Sequence, residues 1–284
     1  MLNNFRWPNV LAPGQLDLKR LLCEPHIWKL TGLMIARVIR QHIDQIWRVE
    51  AGLLLSIFAL ALLLLTFGLV ADEVMEGGTS AFDRSVLLIF RDAANPAEPI
   101  GPAWLLEGVR DLTSLGSFVI LGIILALAVF YMVLAGKRTS ASLLLVAVLG
   151  GVIVNSLLKI GFARPRPEFI APTLRVFTPS FPSGHAALSA VTYLTLSALL
   201  ARTATTSGLR VFFIIAGILL TLAVGISRIY LGVHYPTDVF AGWCVGSAWA
   251  LICWMLMRWM QHRGRVAPAE TGAVLEASEQ RTSA

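Results

Sequence analysis

The sequence carries little charge for its length. Only 14% of its 284 residues are Asp, Glu, Lys or Arg, whereas roughly 25% is usual in a soluble domain. Hydrophobic residues make up 56% of the chain, and its mean hydropathy is +0.73. This composition excludes a soluble globular fold and predicts an integral membrane protein. We expect it to be all-α, because in lipid the backbone must pair its own polar groups within helices.

Cysteine is also scarce, and its pattern excludes several kinds of site. The three cysteines are Cys23, Cys244 and Cys253, and the last two lie nine residues apart, on nearly opposite faces of one predicted helix. They offer no plausible disulfide pairing and form no zinc or redox motif. The sequence also has no internal repeat and no second globular domain.

Six apolar stretches are each long enough to cross a bilayer as a helix. They lie at about 51–71, 118–136, 140–159, 185–201, 210–226 and 238–258. The first begins too late for a cleavable signal peptide and is expected to remain as an anchor. The sequence therefore predicts a six-helix membrane domain at 49–260, preceded by a cytoplasmic segment at 1–48 and followed by a disordered tail at 261–284.

Within the N-terminal segment, residues 27–48 place a stripe of isoleucines opposite faces that carry charge. The pattern predicts an amphipathic helix on the cytoplasmic leaflet. A helix packed against the inner end of the bundle would give the same pattern, and this alternative stays open.

Basic residues are distributed unevenly along the chain. They concentrate in the N-terminal segment, the loops after the second and fourth spans, and the tail, whereas the loop at 72–117 is mainly acidic. By the positive-inside rule, both termini are cytoplasmic and the acidic loop is external. Its apolar run at 85–91 predicts a short helix able to roof a site. Anionic lipids explain the net charge of +6 better than nucleic acid does.

The end of the third span carries the first cluster of charge on the external side. Lys159 ends the span, and Arg166 lies between two prolines that stop the helix and let its guanidinium turn back toward the lysine. A snorkelling lysine is the ordinary alternative for Lys159. Arg164 and Glu168 flank this segment as possible rim charges.

A Ser-Gly-His sequence opens the fourth span. Ser183 and Gly184 at a helix start expose unpaired N–H groups where the helix dipole also favours an anion, so phosphate is expected there. The ordinary alternatives are an N-cap role for Ser183 and an interfacial role for His185.

The connection between the fifth and sixth spans is the most informative segment. Arg228 ends the fifth span, and His234 and Asp238 lie four residues apart across the start of the sixth. A carboxylate at that spacing can accept the imidazole Nδ1–H and leave Nε2 as a nucleophile. A helix-capping contact between the two residues is the ordinary alternative.

The segments 159–167, 182–185 and 227–238 together resemble the three-part signature of the type 2 phosphatidic acid phosphatases (PAP2), a superfamily that includes soluble haloperoxidases. A weaker resemblance covers 110–117. The resemblance implies a six-helix bundle of the PAP2/haloperoxidase type and a phosphohistidine mechanism. His234 would attack phosphorus, Asp238 would orient its ring, and His185 would act as general acid and then base. The implied phosphate-binding residues are Lys159, Arg166, Ser183, Gly184 and Arg228.

The resemblance also implies the setting of the reaction. The substrate is expected to be a lipid phosphate such as polyprenyl diphosphate, phosphatidate, phosphatidylglycerol phosphate or phosphorylated lipid A. The site would face the periplasm of a bacterial inner membrane, and neither a metal nor another cofactor is expected, because three cations can neutralise the phosphoryl group.

Two other functions remain open from the sequence. A phosphohistidine could pass its group to an acceptor lipid, which would make the protein a phosphotransferase. A lipid transporter without catalysis is the second, favoured by Asn155 within a span and by the close-packing pair Gly242 and Gly246. A haloperoxidase is excluded because those relatives are soluble.

Overall fold

Eight helices make up nearly all the regular structure that the computed structural model describes, which covers residues 51–167 and 178–262. They are α1 (Ala51–Met75), α2 (Ser80–Ile89), α3 (Ala103–Ser114), α4 (Phe118–Leu134), α5 (Arg138–Phe162), α6 (Gly184–Thr203), α7 (Ser207–Tyr230) and α8 (Pro236–His262). The predicted amphipathic helix at 27–48, Glu168 and the tail beyond residue 262 lie outside the described residues. The all-α prediction is confirmed.

The candidate spans agree with the sequence prediction. Five helices (α1, α5, α6, α7 and α8) are long and apolar enough to cross a bilayer, and α3 with α4, bent by 46°, makes a sixth if the pair counts as one span. The predicted second span at 118–136 corresponds to α4. Helix α3 directly before it, which carries Glu107, Arg110 and Asp111, was not predicted from the apolar pattern.

The bend between α3 and α4 is built by a close approach of the backbone. A Cβ on Gly116 would lie 2.4 Å from Val224 Cγ1 and 3.2 Å from His185 Cδ2. Ser117 then caps α4, because its Oγ accepts from the Ile120 N–H at 3.3 Å. The break in the span therefore lies against α6 and α7.

Helices α6 and α8 pack backbone to backbone. A Cβ on Gly242 would lie 2.6 Å from Ser183 O, and a Cβ on Gly246 would lie 2.3 Å from Ala187 O. These two glycines are therefore needed for helix packing, which accounts for the small-residue pair without a transport function.

Apolar packing fixes the helices away from the loops that join α5 to α6 and α7 to α8. The largest buried cluster draws on α4, α5, α6 and α8 and consists of Leu125, Met132, Ala141, Leu143, Leu144, Ala147, Val148, Val191, Leu199 and Cys253. Large apolar side chains are also exposed along α1, α4, α5 and α7, as expected for surfaces that face lipid, whereas α6 exposes only Leu200. The chain divides into units 1–55 and 56–284, and every contact described here lies within the second.

Helix α2 confirms the short helix predicted near 85–91, although it begins earlier. It buries Asp83 and Leu87, one turn apart, so that one face of the helix packs inward. The buried face of α2 therefore carries a carboxylate, Asp83, whose contacts are described with the candidate active site.

Candidate active site

The eight residues singled out from the sequence meet at one end of the bundle, which we call the site end. Helices α5 and α7 end there and α6 and α8 begin there, so alternate chain directions bring their polar termini together. His185 lies within electrostatic range of Arg228, His234, Arg166 and Lys159. Four signature residues separated by up to 75 positions are therefore close enough to this imidazole for their charges to act on it.

His234 is buried with each ring nitrogen in a defined contact. Its Nδ1 lies 3.4 Å from Asp238 Oδ2, and its Nε2 lies 3.2 Å from Arg166 Nη1. A guanidinium can only donate hydrogen bonds, so Nε2 must be the acceptor and Nδ1 must carry the proton. This geometry selects the tautomer in which Nε2 holds a free electron pair. The contact between His234 and Asp238 therefore orients the imidazole, whether or not it also caps the helix.

The environment of His234 also keeps the ring neutral. Burial, together with the charges of Arg166 and Arg228, lowers the pKa of His234 to about 3, although Asp238 opposes the shift. A neutral imidazole is the form that can attack phosphorus.

Asp238 is held at both carboxylate oxygens. Its Oδ2 accepts from the Tyr235 N–H at 2.9 Å and from the Ser180 hydroxyl, which also lies 3.3 Å from His234 Nδ1. Its Oδ1 accepts from Arg164 Nη1 at 2.6 Å. The carboxylate is thus immobilised beside the imidazole and can stabilise an imidazolium.

Arg164 is not the rim charge that the sequence suggested. Its side chain is only 11% exposed, and its two terminal nitrogens bridge Asp238 and Asp83, with 2.7 Å between Nη2 and Asp83 Oδ2. The guanidinium also lies 4.3 Å from the centroid of the Tyr235 ring. The two carboxylates raise the pKa of Arg164 against the effect of burial, so the group stays charged.

Asp83 is the main site-end residue that sequence reasoning missed. It is fully buried, and it accepts from the Thr237 N–H at 3.1 Å and from the Thr237 hydroxyl at 2.7 Å. Through Thr237 and Arg164 it fixes both flanks of Asp238. A carboxylate one turn from a buried leucine on a short apolar helix was the available signal.

Arg166 is oriented by backbone carbonyls rather than by a carboxylate. Its Nε donates to Thr178 O and its Nη1 to Val233 O, both at 2.8 Å, and its Nη2 donates to the Thr178 hydroxyl at 3.1 Å. Burial lowers the pKa of Arg166 from its ordinary high value. This cation is therefore fixed beside His234 Nε2 with no ion-pair partner among the described residues.

Lys159 turns inward at the end of α5. Its Nζ donates to Pro179 O at 2.5 Å, so it contacts the 178–180 segment that also carries Ser180. Its electrostatic neighbours are Arg166, Asp238 and Arg228. The ordinary alternative, a lysine snorkelling away from the bundle, does not describe this conformation.

Ser183 occupies the N-cap position of α6, but its side chain caps nothing. Its Oγ is fully buried and has no hydrogen-bond partner in the described part of the chain, and the same holds for Arg228 Nε and Asn155 Oδ1. A Cβ on Gly184 would lie 3.2 Å from Asn155 Nδ2, so only glycine fits there without displacing the amide. Unpaired buried polar atoms cost about 1–3 kcal/mol each, which favours a polar ligand at this position.

The remaining cation, Arg228, is anchored from α3. Its Nη1 donates to the Thr113 hydroxyl at 3.1 Å. Thr113 belongs to 110–117, the stretch with the weaker sequence resemblance. No group of three or more His, Cys, Asp or Glu residues in 51–167 or 178–262 is arranged to hold a metal ion.

Comparisons with known proteins identify the family of the chain. A family model described as the PAP2 superfamily matches residues 140–262. The chain is 32% identical over 190 residues to phosphatidylglycerophosphatase B of Bacillus subtilis (strain 168), covering 65% of this chain and 87% of that protein. It is 33% identical over 101 residues to an undecaprenyl-diphosphatase of Sulfolobus acidocaldarius, covering 34% of this chain and 45% of that protein.

A solved structure has the same fold. The crystal structure of a transmembrane PAP2-type phosphatidylglycerolphosphate phosphatase from Bacillus subtilis superposes with a TM-score of 0.64 at 25% identity. The superposition covers 72% of this chain and 98% of that one.

Proposed function

The chain belongs to the PAP2 superfamily, and on that premise we propose that it hydrolyses a phosphate monoester or diphosphate on a membrane lipid through a phosphohistidine on His234. The observation that supports the nucleophile is the pair of contacts made by this ring, Arg166 at Nε2 and Asp238 at Nδ1. Together they hold a neutral imidazole with its electron pair among fixed cations.

In the first step, the Nε2 electron pair attacks phosphorus in line with the bond to the lipid oxygen. The P–O bond breaks as the N–P bond forms, and the leaving oxygen takes a proton from His185. His185 lies in the first turn of α6, among the signature cations. The phosphate anion that these cations bind would favour the protonated imidazole that this step requires. Asp238 stabilises the cationic ring of the phosphohistidine.

In the second step, water attacks the phosphohistidine and His185, now neutral, removes a proton from it. The N–P bond breaks, inorganic phosphate leaves, and both histidines return to their starting states. Charge on the equatorial oxygens is stabilised by Lys159, Arg166 and Arg228 and by the N–H groups that begin α6. On this account, catalysis comes from the positioning of the reacting groups and from electrostatic stabilisation of the transition state.

We place the site on the external side of the membrane. The support is the positive-inside pattern, because Lys137, Arg138, Arg202 and Arg210 lie at the ends of α5, α6 and α7 that are opposite the signature. The substrate then lies in the outer leaflet. The two curated relatives are named for a phosphatidylglycerophosphate and an undecaprenyl diphosphate, so both head-group types belong in the assay.

The direct test is phosphate release by the detergent-purified protein from phosphatidate, phosphatidylglycerol phosphate and a polyprenyl diphosphate, with no acceptor lipid present. His234→Ala should lower kcat by about a thousandfold or more. The matched control is His262→Ala at the far end of α8, which should keep wild-type activity. A wild-type rate in His234→Ala would refute the nucleophile, and release that requires an added acceptor would identify a phosphotransferase.

The role of His185 has a test of its own. His185→Ala should slow hydrolysis of an alkyl phosphate much more than that of p-nitrophenyl phosphate, because nitrophenolate leaves without a proton. Equal loss on both substrates would show that His185 binds phosphate but transfers no proton.

A further inference from the structure

An apolar cavity of about 450 Å³ lies between α3 and α7, directly beside the site. Helix α3 contributes Leu105, Val109 and Leu112, and helix α7 contributes Ala223, Ile226 and Tyr230. These positions recur every three or four residues, so each helix turns one continuous face toward the cavity. The volume falls within the range of roughly 300–1,000 Å³ that ligand pockets span.

The lining offers nothing to a polar ligand. The Tyr230 hydroxyl donates to Ile100 O and the Ser227 hydroxyl donates to Val224 O, both at 2.6 Å. The other lining residues are Gly101 and apolar side chains. Hydrocarbon is therefore the ligand chemistry that this cavity fits.

Two lining residues are the sequence neighbours of residues at the phosphate-binding end. Leu112 precedes Thr113, whose hydroxyl accepts from Arg228, and Ser227 of the lining precedes Arg228 itself. Ile100 and Ile226 are exposed at the bundle surface, so the lining also reaches the lipid side. The cavity therefore begins one residue away from Arg228 on α7 and from its partner Thr113 on α3.

We infer that this cavity holds the head-proximal part of the hydrocarbon chain of the lipid phosphate and sets the preference for long-chain substrates. The inference rests on the proposed function. Bound there, the chain would keep the scissile P–O bond in register with His234 while the rest of the chain remains in the bilayer. Remote binding of this kind supports the reaction at the phosphorus atom.

The test fills the cavity and compares substrates. Ala223→Trp should lower kcat/KM for a long-chain lipid phosphate by about tenfold or more, by analogy with the loss of several buried methylenes. It should leave hydrolysis of water-soluble p-nitrophenyl phosphate unchanged. Val109→Trp fills the same cavity from α3 and protects the test against misfolding of one variant.

The matched control is Ala198→Trp, an equal substitution in a largely apolar cavity of about 340 Å³ that α1, α5, α6 and α8 line. It should affect neither substrate. In the wild type, kcat/KM for monomeric short-chain substrates should rise about fourfold per methylene until the cavity is full. Ala223→Trp should end that rise at a shorter chain length.

Several outcomes would overturn the inference. Unchanged lipid hydrolysis in both filled variants would mean that the cavity holds only bystander lipid, and equal loss on both substrates in folded protein would mean that it supports the site structurally. Failure of the proposed function is distinguishable, because the wild type would then release phosphate from neither substrate.

Discussion

The two ends of the helix bundle differ sharply in what they bury. The site end buries Asp83, Arg91, Arg228, His234 and Asp238. The large core cluster farther along the same helices consists of Leu, Val, Ala, Met and Cys side chains. Ionisable groups at membrane depth are costly, so the comparison shows that one end fixes the helices by packing while the other uses those fixed positions to hold charge.

This difference between the two ends predicts that substitutions there impair different properties of the protein. A change at the site end should reduce the rate more than the stability, unless it breaks a buried ion pair. A change in the apolar cluster should reduce the stability alone. The predictions below take these differences in order of expected size.

Asp83→Asn should have the largest effect, because it removes the charge that holds Arg164 and one acceptor of Thr237. Breaking a buried ion pair from one side costs about 3–5 kcal/mol. Both the melting temperature and kcat should fall, with KM changed less, since Asp83 touches neither phosphate nor the reacting atoms. Melting and phosphate release can be measured on the same preparation.

The control for this carboxylate is Asp72→Asn, an exposed acid in α1. It should match the wild type in both measurements. A stable Asp83→Asn variant with normal kcat would show that Arg164 and Thr237 hold Asp238 without help from α2.

The sequence predicted the parts of the site that local spacing encodes. His234 and Asp238 are four residues apart across a helix start, and the prolines around Arg166 force the break that turns it back. The contacts of Asp83, Ser180 and Thr237 could not be found this way, because they join separate elements. The bond from Thr237 to Asp83, for example, spans 154 positions.

The fold shows the same limit. Uninterrupted apolar runs predicted the six apolar segments directly, because a bilayer imposes a length and a composition on each. Helix α3 was not predicted, because it carries charged residues and because the bend after it depends on Gly116 and on contacts with α7 that hydropathy does not encode. Tertiary contacts thus account for what was missed in both fold and site.

Arg166→Ala should have the second largest effect, and it should lower kcat more than stability. Loss of one donor to transition-state charge lowers kcat by roughly 10²–10³, whereas the hydrogen bonds to Thr178 and Val233 carbonyls are worth less to stability. Arg166→Lys should recover little, because a single ammonium cannot replace the forked contacts.

The matched variant is Arg202→Ala, an exposed arginine at the opposite end of the bundle from the signature. Its kcat should equal that of the wild type. If both arginine variants lost activity equally, the loss would reflect general electrostatics rather than a phosphate contact.

Leu144→Ala should have the opposite effect to Arg166→Ala, with a loss of stability and no loss of rate. Leu144 is 1% exposed within the large cluster, and truncation of a buried leucine costs about 2–5 kcal/mol. The melting temperature should fall while kcat/KM per folded molecule stays at the wild-type value. Leu157→Ala, at an exposed position of the same helix, should change neither quantity, and a lowered kcat in Leu144→Ala would show that the two ends are coupled.

The pH dependence of stability gives the smallest effect and separates the two ends once more. The pKa of His234 is lowered to about 3 in the folded protein, whereas an unfolded histidine titrates near 6.5. Below about pH 6.5 the unfolded chain therefore takes up a proton that the folded chain does not, so stability is lost as pH falls. From the two pKa values the loss at pH 5 is about 2 kcal/mol.

His234→Asn should make the melting temperature fall less between pH 7 and pH 5 than in the wild type, and His262→Asn should not. The deficit of Leu144→Ala should stay constant over this range, because its site binds no proton. A His234→Asn profile as steep as that of the wild type would mean that another group of the site end takes up the proton.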